Sequence, residues 1–581
     1  MKQSAAEALE TLATSGRASL YPDKIKITVG MATCGLAAGA GEVYEAIRQR
    51  MEQRGLDAIL AQTGCIGYCQ KEPLVDVRLP SSGRILYTEV TRPQARALVD
   101  ALARDEFPGR SSPWAYIRKE EALILNWVDR FKQPDELEEL TPLDKQPFFA
   151  QQKKIVLRNS GYIDPTSLAE YVARGGYLAL ANTLATMSPQ AVIDRISLAG
   201  LRGRGGGGFP TGHKWQVAHD APGEPKYVIC NGDEGDPGAY MDRTVLESDP
   251  HSVIEGIIAG AYAIGANQGY IYVRDEYPLA IERLAGALDQ AGQHGLLGED
   301  ILGSGFSFSL AIIRGAGAFV CGEETAMIAS IEGGLGEPRP KPPYPAVSGL
   351  WGKPTIINNV KTWATVPAIL ARGSGWYAAL GAPNNAGTVV FSLVGQIANT
   401  GLVEVPLGMP LGQLLEEIGG GGIGRPIKAV QTGGPSGGCL PARLFDLPIN
   451  YEQLKEAGSI MGSGGMVALD ESACMVDVAR YFLDFTTVES CGKCTACREG
   501  NRHLRTILER IVHGQGRPED LDLLEEVGQA VKAGSLCGLG QTSPNPVLST
   551  LRYFRDEYEA HVHDHRCPAG QCPMTPEVSH A

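Results

Sequence analysis

The stretch Ala199-Gly-Leu-Arg-Gly-Arg-Gly-Gly-Gly-Gly-Phe-Pro-Thr-Gly-His-Lys-Trp215 carries an unbroken run of glycine from Gly205 to Gly208 and ends in a lysine and a tryptophan. Too little side chain remains in it to pack a core. Without β-carbons, successive backbone N–H groups can converge on an anion, and Arg202, Arg204 and Lys214 add positive charge. The stretch therefore reads as a backbone cradle for a phosphate-bearing cofactor. Gly203, Gly205 and Gly208 fit G-x-G-x-x-G, but that fingerprint needs a strand before it. Here Ser188 as N-cap, Pro189 at the first helical position and the apolar Ala191, Val192, Ile196 and Leu198 predict a preceding helix, which argues against the usual Rossmann turn. A flexible linker would be rich in serine and would not carry Arg, Phe, Lys and Trp at its rim.

Composition narrows the class further. At 581 residues and 61.9 kDa, the chain is long enough for several domains. A formal net charge of -14 and a pI near 5.3 speak against nucleic-acid binding, which wants a basic stripe. Met1 to Ser19 has no apolar h-region, so it is not a secretory signal. The longest apolar run, Gly256 to Ala266, is far short of the roughly 20 residues of a membrane span. A soluble, cytoplasmic protein is expected. The cysteines cluster as C-x-x-C-x-x-C, C-x3-C and C-x4-C, which points to metal ligation in a reducing compartment rather than to disulfides.

Further runs follow the glycine stretch in order: Cys230-Asn-Gly-Asp-Glu-Gly-Asp-Pro-Gly238, Gly317-Ala-Phe-Val-Cys-Gly-Glu-Glu-Thr-Ala326, Pro338-Arg-Pro-Lys-Pro-Pro-Tyr-Pro345 leading to Ile356-Ile-Asn-Asn-Val360, and Glu489-Ser-Cys-Gly-Lys-Cys-Thr-Ala-Cys-Arg-Glu-Gly500. Together these motifs resemble the flavin-bearing, NADH-oxidising 51 kDa-type subunit of respiratory complex I. The resemblance extends to the matching subunits of NAD-dependent hydrogenases, electron-bifurcating ones included, and of NAD-dependent formate dehydrogenases. It covers roughly residues 150–560.

An α/β multidomain organisation is expected. After an N-terminal extension (1–21), residues 22–105 read as β-α-β-β-β-α, which looks like a thioredoxin-like ferredoxin domain. Residues 106–150 read as a tether with a helical Trp114–Val128 segment, and 151–384 as an α/β FMN- and NADH-binding domain in which Ser307–Arg314 is a hairpin candidate. Residues 385–455 resemble a small β-grasp module, and 456–560 a four-helix bundle carrying the C-x-x-C-x-x-C loop, with its last helix over Pro546–His561. A Cys/His tail, 561–581, closes the chain.

The resemblance assigns FMN to Gly203, Arg204, Gly205 and Lys214 at its phosphate and ring edge, and to Asn231, Asp233 and Glu234 at its ribityl hydroxyls and flavin. Gly322, Glu323, Asn358 and Asn359 close the site. NADH would stack its adenine on Phe209 and Tyr344, with Glu324 and Lys341 on its ribose and phosphates and Asp236 as a further NADH-binding residue. Val217 and Asp236 depart from the complex I pattern, which has Phe and Glu there. A solvated acidic turn is a poor account of Glu323-Glu324, which sits between apolar Phe319-Val320 and Ala326-Met327.

Cys491, Cys494 and Cys497 with the remote Cys537 form the cubane pattern, in which one short loop wraps three corners of a [4Fe–4S] cluster. Cys65 and Cys69 match one pair of a [2Fe–2S] ligand set, but Cys34 has Gly39 where its partner would be, leaving an incomplete site. Cys439, in the Gly-rich turn Gly433–Pro441 that reads as exposed, makes a zinc-type set with His561, Cys567 and Cys572, with His561 favoured over His563 and His565 because it ends the last helix. Cys230, Cys321 and Cys474 stand beside apolar residues and read as small core residues.

The resemblance implies an FMN-dependent diaphorase subunit of a larger redox complex: NADH passes hydride to the flavin, which feeds single electrons to the [4Fe–4S] cluster. The expected partners are a thioredoxin-like [2Fe–2S] subunit and a hydrogenase or formate dehydrogenase iron–sulfur subunit. The alternatives are the formate dehydrogenase subunit, the ordinary complex I subunit, and a non-catalytic docking scaffold.

Overall fold

The computed structural model describes residues 3–106 and 113–574. The start of the extension, part of the expected tether (107–112) and the end of the tail (575–581) lie outside the described residues.

Among the described residues the chain builds three sheets of four or five strands, two two-stranded ribbons and a helical domain. The first sheet has the order Ala58–Thr63, Ile25–Gly30, Val75–Arg78, Arg84–Tyr87, Ala115–Ile117. Its first two strands are parallel and the rest antiparallel. Helices Ala40–Arg54 and Arg92–Leu102 bury Val43, Ile47, Leu98 and Val99 with Ile27, Val29, Val75 and Val77 of the sheet. Thr91 and Gln94 form a capping box that fixes where the second helix starts.

The expected helix at Trp114–Val128 is absent. Ala115–Ile117 joins the first sheet beside Arg84–Tyr87, and Lys119–Ala122 pairs with Trp127–Arg130 as a hairpin whose turn holds Asn126 at φ 54°. Tyr116, Ile117, Trp127 and Val128 are strand formers, and pairing along the open edge of the sheet outweighs the weak helical periodicity.

The second sheet is parallel throughout, in the order Ser309–Gly315, Gln268–Arg274, Tyr227–Gly232, Thr355–Asn359. Ser309–Gly315 is thus an edge strand and not half of a hairpin. Val228, Ile229 and Cys230 are fully buried, as a strand covered on both faces requires. Helices Pro250–Ile264 and Val360–Arg372 pack on it and so closely against each other that a β-carbon at Gly256 would stand 2.0 Å from the Trp363 carbonyl oxygen. Trp215 stacks on Trp363 at 5.6 Å, which ties the helix after the glycine stretch to this core.

The third sheet runs Gly401–Pro406, Thr388–Gly395, Gly465–Asp470, Ile427–Thr432, Cys439–Pro441, with one parallel pair in its middle. Helices Met475–Val488, Thr495–Val512, Glu519–Gly534 and Asn545–Tyr553 follow. The last does not run on to His561: Phe554, at φ -130° and ψ 38°, breaks it before a separate helix, Arg555–His563. Among the described residues no helix is long and apolar enough to cross a membrane.

Candidate cofactor and metal sites

Helix Pro189–Leu198 precedes the glycine stretch, with the Ser188 hydroxyl accepting the Ala191 amide at 3.2 Å. The stretch closes on itself: Gly203 N donates to Phe209 O and Thr211 N to Leu201 O, both at 2.9 Å. The amides of Gly205, Gly206, Gly207 and Gly208 between them have no partner among the described residues. Gly206 at φ 123° and Gly208 at φ 60° give the run its curvature. Consecutive amides without a protein partner form a concavity that suits an anion.

The arginines do not supply its charge. Arg204 is only 4% exposed. Its guanidinium donates to Arg202 O, Thr388 O, Ala386 O, Tyr377 Oη and Tyr451 Oη at 2.8–3.2 Å, and its amide donates to Thr362 Oγ1. Arg202 pairs with Glu452 at 2.6 Å and lies over the Tyr451 ring. Both arginines pin the loop to the third-sheet region, so Arg204 contributes shape where the sequence predicted a charge contact. Lys214 alone turns inward, donating to Ile357 O at 2.9 Å; burial pushes its pKa down.

Acids and amides gather at the carboxyl ends of Tyr227–Gly232 and Thr355–Asn359. Asn231 Nδ2 donates to Gly322 O at 2.9 Å, and its Oδ1 accepts the Asp233 amide. Asp233 lies 3.5 Å from Arg274 through Oδ1, while its buried Oδ2 and the buried Oδ1 of Asn358 have no partner. Burial pushes the Asp233 pKa up to about 7. Glu234 accepts the amides of Asp242 and Arg243 and the Tyr277 hydroxyl, so it caps helix Met241–Ser248; burial raises its pKa to about 7. Asn359 caps the next helix through Lys361 N and donates to Asp242, which forms a buried ion pair with Lys361. These caps hold the cleft's shape, whereas Asp233 and Asn358 keep open acceptors.

Glu323 caps helix Glu324–Ile331 through the Thr325 and Ala326 amides. Lys341 bridges Glu323 at 3.1 Å and Glu324 at 2.8 Å. Phe209 and Tyr344 are 51% and 57% exposed, the open aromatic faces that a stacked base needs. Asp236 does not join the Lys341 pair: it accepts the Ser463 hydroxyl at 2.7 Å and lies against Gly434, facing the third-sheet region.

Cys491, Cys494, Cys497 and Cys537 line one small cavity with Val320 and Pro338. Cys494 and Cys537 sit at helix N-caps, and Ser490 and Asn501 hydrogen-bond to Cys497 at 3.3 and 3.5 Å. The loop is tied to the cleft: Phe319 N donates to Glu489 at 3.0 Å, and Lys493 Nζ donates to Pro338 O at 2.9 Å. Segment 319–341 therefore touches both the acid pair and the cysteines.

The C-terminal set differs from expectation in one member. Cys474, His561, Cys567 and Cys572 place their ligand atoms within 4.8 Å of one another. His561 Nε2 lies 3.5 Å from Cys474 Sγ and 3.3 Å from Cys572 Sγ, and Nδ1 donates to Glu557 O at 2.7 Å, the outer contact that aims a ligating imidazole. Cys439 is not among them. It is fully buried in strand Cys439–Pro441 against Met475 and Phe554, and burial pushes its thiol up to about 12. The Gly-rich turn expected to be exposed is covered by helix Asn545–Tyr553, whose Ser549 accepts the Cys439 amide. Cys474, read as a core residue, is the fourth member; its place before helix Met475–Val488 gave no ligand spacing to notice. Cys230 and Cys321 are buried as expected.

In the first domain Cys65 and Cys69 lie 3.7 Å apart, while Cys34 Sγ stands 3.9 Å from Arg243 Nη2. Gly39, in the missing ligand's place, adopts φ 98° before helix Ala40–Arg54.

Residues 196–368 match the family described as the Nuo51 FMN-binding domain, and 477–561 the NADH-ubiquinone oxidoreductase-F iron-sulfur binding region. The chain is 55% identical over 423 residues to HndC of the NADP-reducing hydrogenase of Solidesulfovibrio fructosivorans, covering 73% of this chain and 86% of that one. It is 45% identical to the F 2 polypeptide of the NADH-quinone oxidoreductase of Rhizobium meliloti over 71% of this chain and 99% of that one. A solved NAD+-reducing [NiFe]-hydrogenase in the H2-reduced state superposes with a TM-score of 0.63 at 28% identity, covering 97% of this chain and 91% of that one.

Proposed function

Since this chain belongs to the family of complex I 51 kDa-type FMN-binding subunits, we propose that it exchanges hydride between NAD(H) and FMN and passes single electrons to a [4Fe–4S] cluster, as the diaphorase subunit of an NAD(P)-linked hydrogenase complex. The observation that carries this reading is that the unpaired glycine run lies against Asn359 through Gly205, while the four-cysteine cavity is tied through Glu489 and Lys493 to segment 319–341, whose Gly322 is bonded to Asn231 at the end of the neighbouring strand of the same sheet. FMN bound there supplies the redox chemistry, taking electrons in pairs and releasing them singly.

The chain's own residues bind, orient and screen. The Gly205–Gly208 amides would hold the phosphate with Lys214, and the open acceptors of Asp233 and Asn358 fit ribityl hydroxyls or ring N–H groups. Glu324 and Lys341 would take the ribose and phosphates of NADH, whose base would lie on Phe209 and Tyr344. Cys491, Cys494, Cys497 and Cys537 would hold the cluster. The second reading, a complex I subunit, shares every one of these parts; the 97% coverage by the hydrogenase fold, N-terminal domain included, favours the first.

The first and third sheets and the helices fit thioredoxin-like, β-grasp and four-helix-bundle modules, the third by its strand order and mixed pairing. Zinc suits Cys474, His561, Cys567 and Cys572, a closed Cys3His set, which would fix the tail to the helical domain. A cytoplasmic location and iron–sulfur partner subunits accord with this assignment. Anaerobic addition of NADH to the purified chain tests it: bleaching of the flavin spectrum is expected, and an unchanged spectrum would leave only a docking scaffold.

A further inference from the structure

The cavity formed by Cys491, Cys494, Cys497 and Cys537 has one charged residue in its lining, Lys493. It stands between two of the cysteines, in Cys491-Gly-Lys-Cys494, and its ammonium is anchored. Nζ donates to Pro338 O at 2.9 Å and lies 3.5 Å from Glu337 Oε2. Pro338 is buried and lines the same cavity, so this contact holds the cation at the cavity wall. Arg498, the other cation of the loop, is taken up by Gly492 O at 2.6 Å and Glu499 at 2.8 Å. The hydrogen bonds to Cys497 come from Ser490 and Asn501, which are uncharged.

Given the [4Fe–4S] assignment above, on which this rests, we propose that Lys493 raises the reduction potential of the cluster, and that Pro338 fixes the ammonium where it has this effect. Four thiolates around a [4Fe–4S] core carry a net negative charge, and one-electron reduction adds another. Net charge and hydrogen bonding at the sulfurs set such potentials, so a fixed cation beside them favours the reduced form. At an effective dielectric constant of about 20, a neighbouring unit charge changes a one-electron equilibrium by an order of magnitude or more. Solvent reaches Lys493, and Glu337 offsets part of its charge, which brings the expected effect to about tenfold.

The anchor belongs to the segment that would carry coenzyme. Arg339, next after Pro338, donates its amide to Thr325 Oγ1 at 3.0 Å and its guanidinium to Pro343 O at 3.0 Å. The Thr325 amide donates to Glu323 Oε2 at 2.8 Å, and Glu323 accepts from Lys341 at 3.1 Å. The Pro338 carbonyl is thereby fixed in the frame that holds Lys341 and Tyr344. Residues that would bind the electron donor thus also position the cation beside the electron acceptor.

An EPR-monitored redox titration of the anaerobically purified full-length chain, with dithionite and mediators, tests this without calling on NADH. At the potential that half-reduces the wild-type cluster, Lys493→Met should lower the reduced-to-oxidised ratio about tenfold, a fall of about 59 mV for a one-electron couple. Lys493→Arg should stay within about twofold of wild type, because it keeps the charge. Glu337→Gln should shift the ratio upward, since it removes the acid that offsets Lys493. Iron at about four per chain in each variant separates a changed potential from a lost cluster. A Lys493→Met cluster that titrates with the wild type would overturn the proposal. Should that variant lose its iron, Glu337→Gln decides, and a ratio unchanged or lowered there would overturn it too. A wild-type chain with no [4Fe–4S] signal under dithionite would remove the cluster and the proposal together, whereas a flavin that NADH does not bleach would bear only on the function proposed above.

Discussion

Replacing Arg204 with lysine separates a charge that binds phosphate from a pin that shapes the loop. Lysine keeps the charge but has three donors where the guanidinium satisfies five acceptors, the carbonyls of Arg202, Ala386 and Thr388 and the hydroxyls of Tyr377 and Tyr451. At least two buried acceptors lose their donor. At about 1.5 kcal/mol for each unpaired group, the expected cost is about 3 kcal/mol. For a domain of this size that lowers the melting temperature by roughly 6–12 °C. Flavin retention should fall with it, because Tyr451 also donates to Gly203 O at 3.0 Å and positions the cradle. Thermal melts of flavin-free and FMN-loaded protein read both effects. A lysine variant that melts with the wild type and keeps its flavin would refute the pin.

Three further outcomes follow from the sites. Glu324→Gln should weaken NADH turnover while the purified protein stays yellow, and loss of flavin would reassign Glu324 to FMN. With Asp233 at about 7, against an ordinary value near 4, the folded chain holds a proton that the unfolded chain releases; stability should fall as pH rises from about 4 to about 7, by up to about 4 kcal/mol. Asp233→Asn should flatten that slope in flavin-free protein, and an unchanged slope would place the titration elsewhere. Metal analysis should find the C-terminal zinc retained in Cys439→Ser and lost in Cys474→Ser; the reverse would restore Cys439 as a ligand.

The glycine stretch and the C-x-x-C-x-x-C loop were legible because local spacing alone dictates their chemistry: a run of bare amides, and three thiolates within reach of one cluster. The helix before the cradle was equally clear from its Ser188-Pro189 start. What stayed hidden depends on distant partners. Arg204 looked free until the third sheet brought Thr388 and Tyr451 to it. Cys439 looked exposed until helix Asn545–Tyr553 covered it, and Cys474 looked inert until the tail folded back from almost ninety residues away. Ala115–Ile117 became a strand because an open sheet edge was available, which its own sequence does not record.

The central claim, that cradle and cysteine cavity form one electron path, is tested most directly by anaerobic NADH titration of the purified chain with flavin absorbance and low-temperature EPR read on the same samples. The account predicts flavin bleaching accompanied by a reduced [4Fe–4S] signal, with the signal lost in Cys494→Ser while bleaching persists. A flavin that bleaches in wild type without any cluster reduction, even with excess NADH, would contradict it.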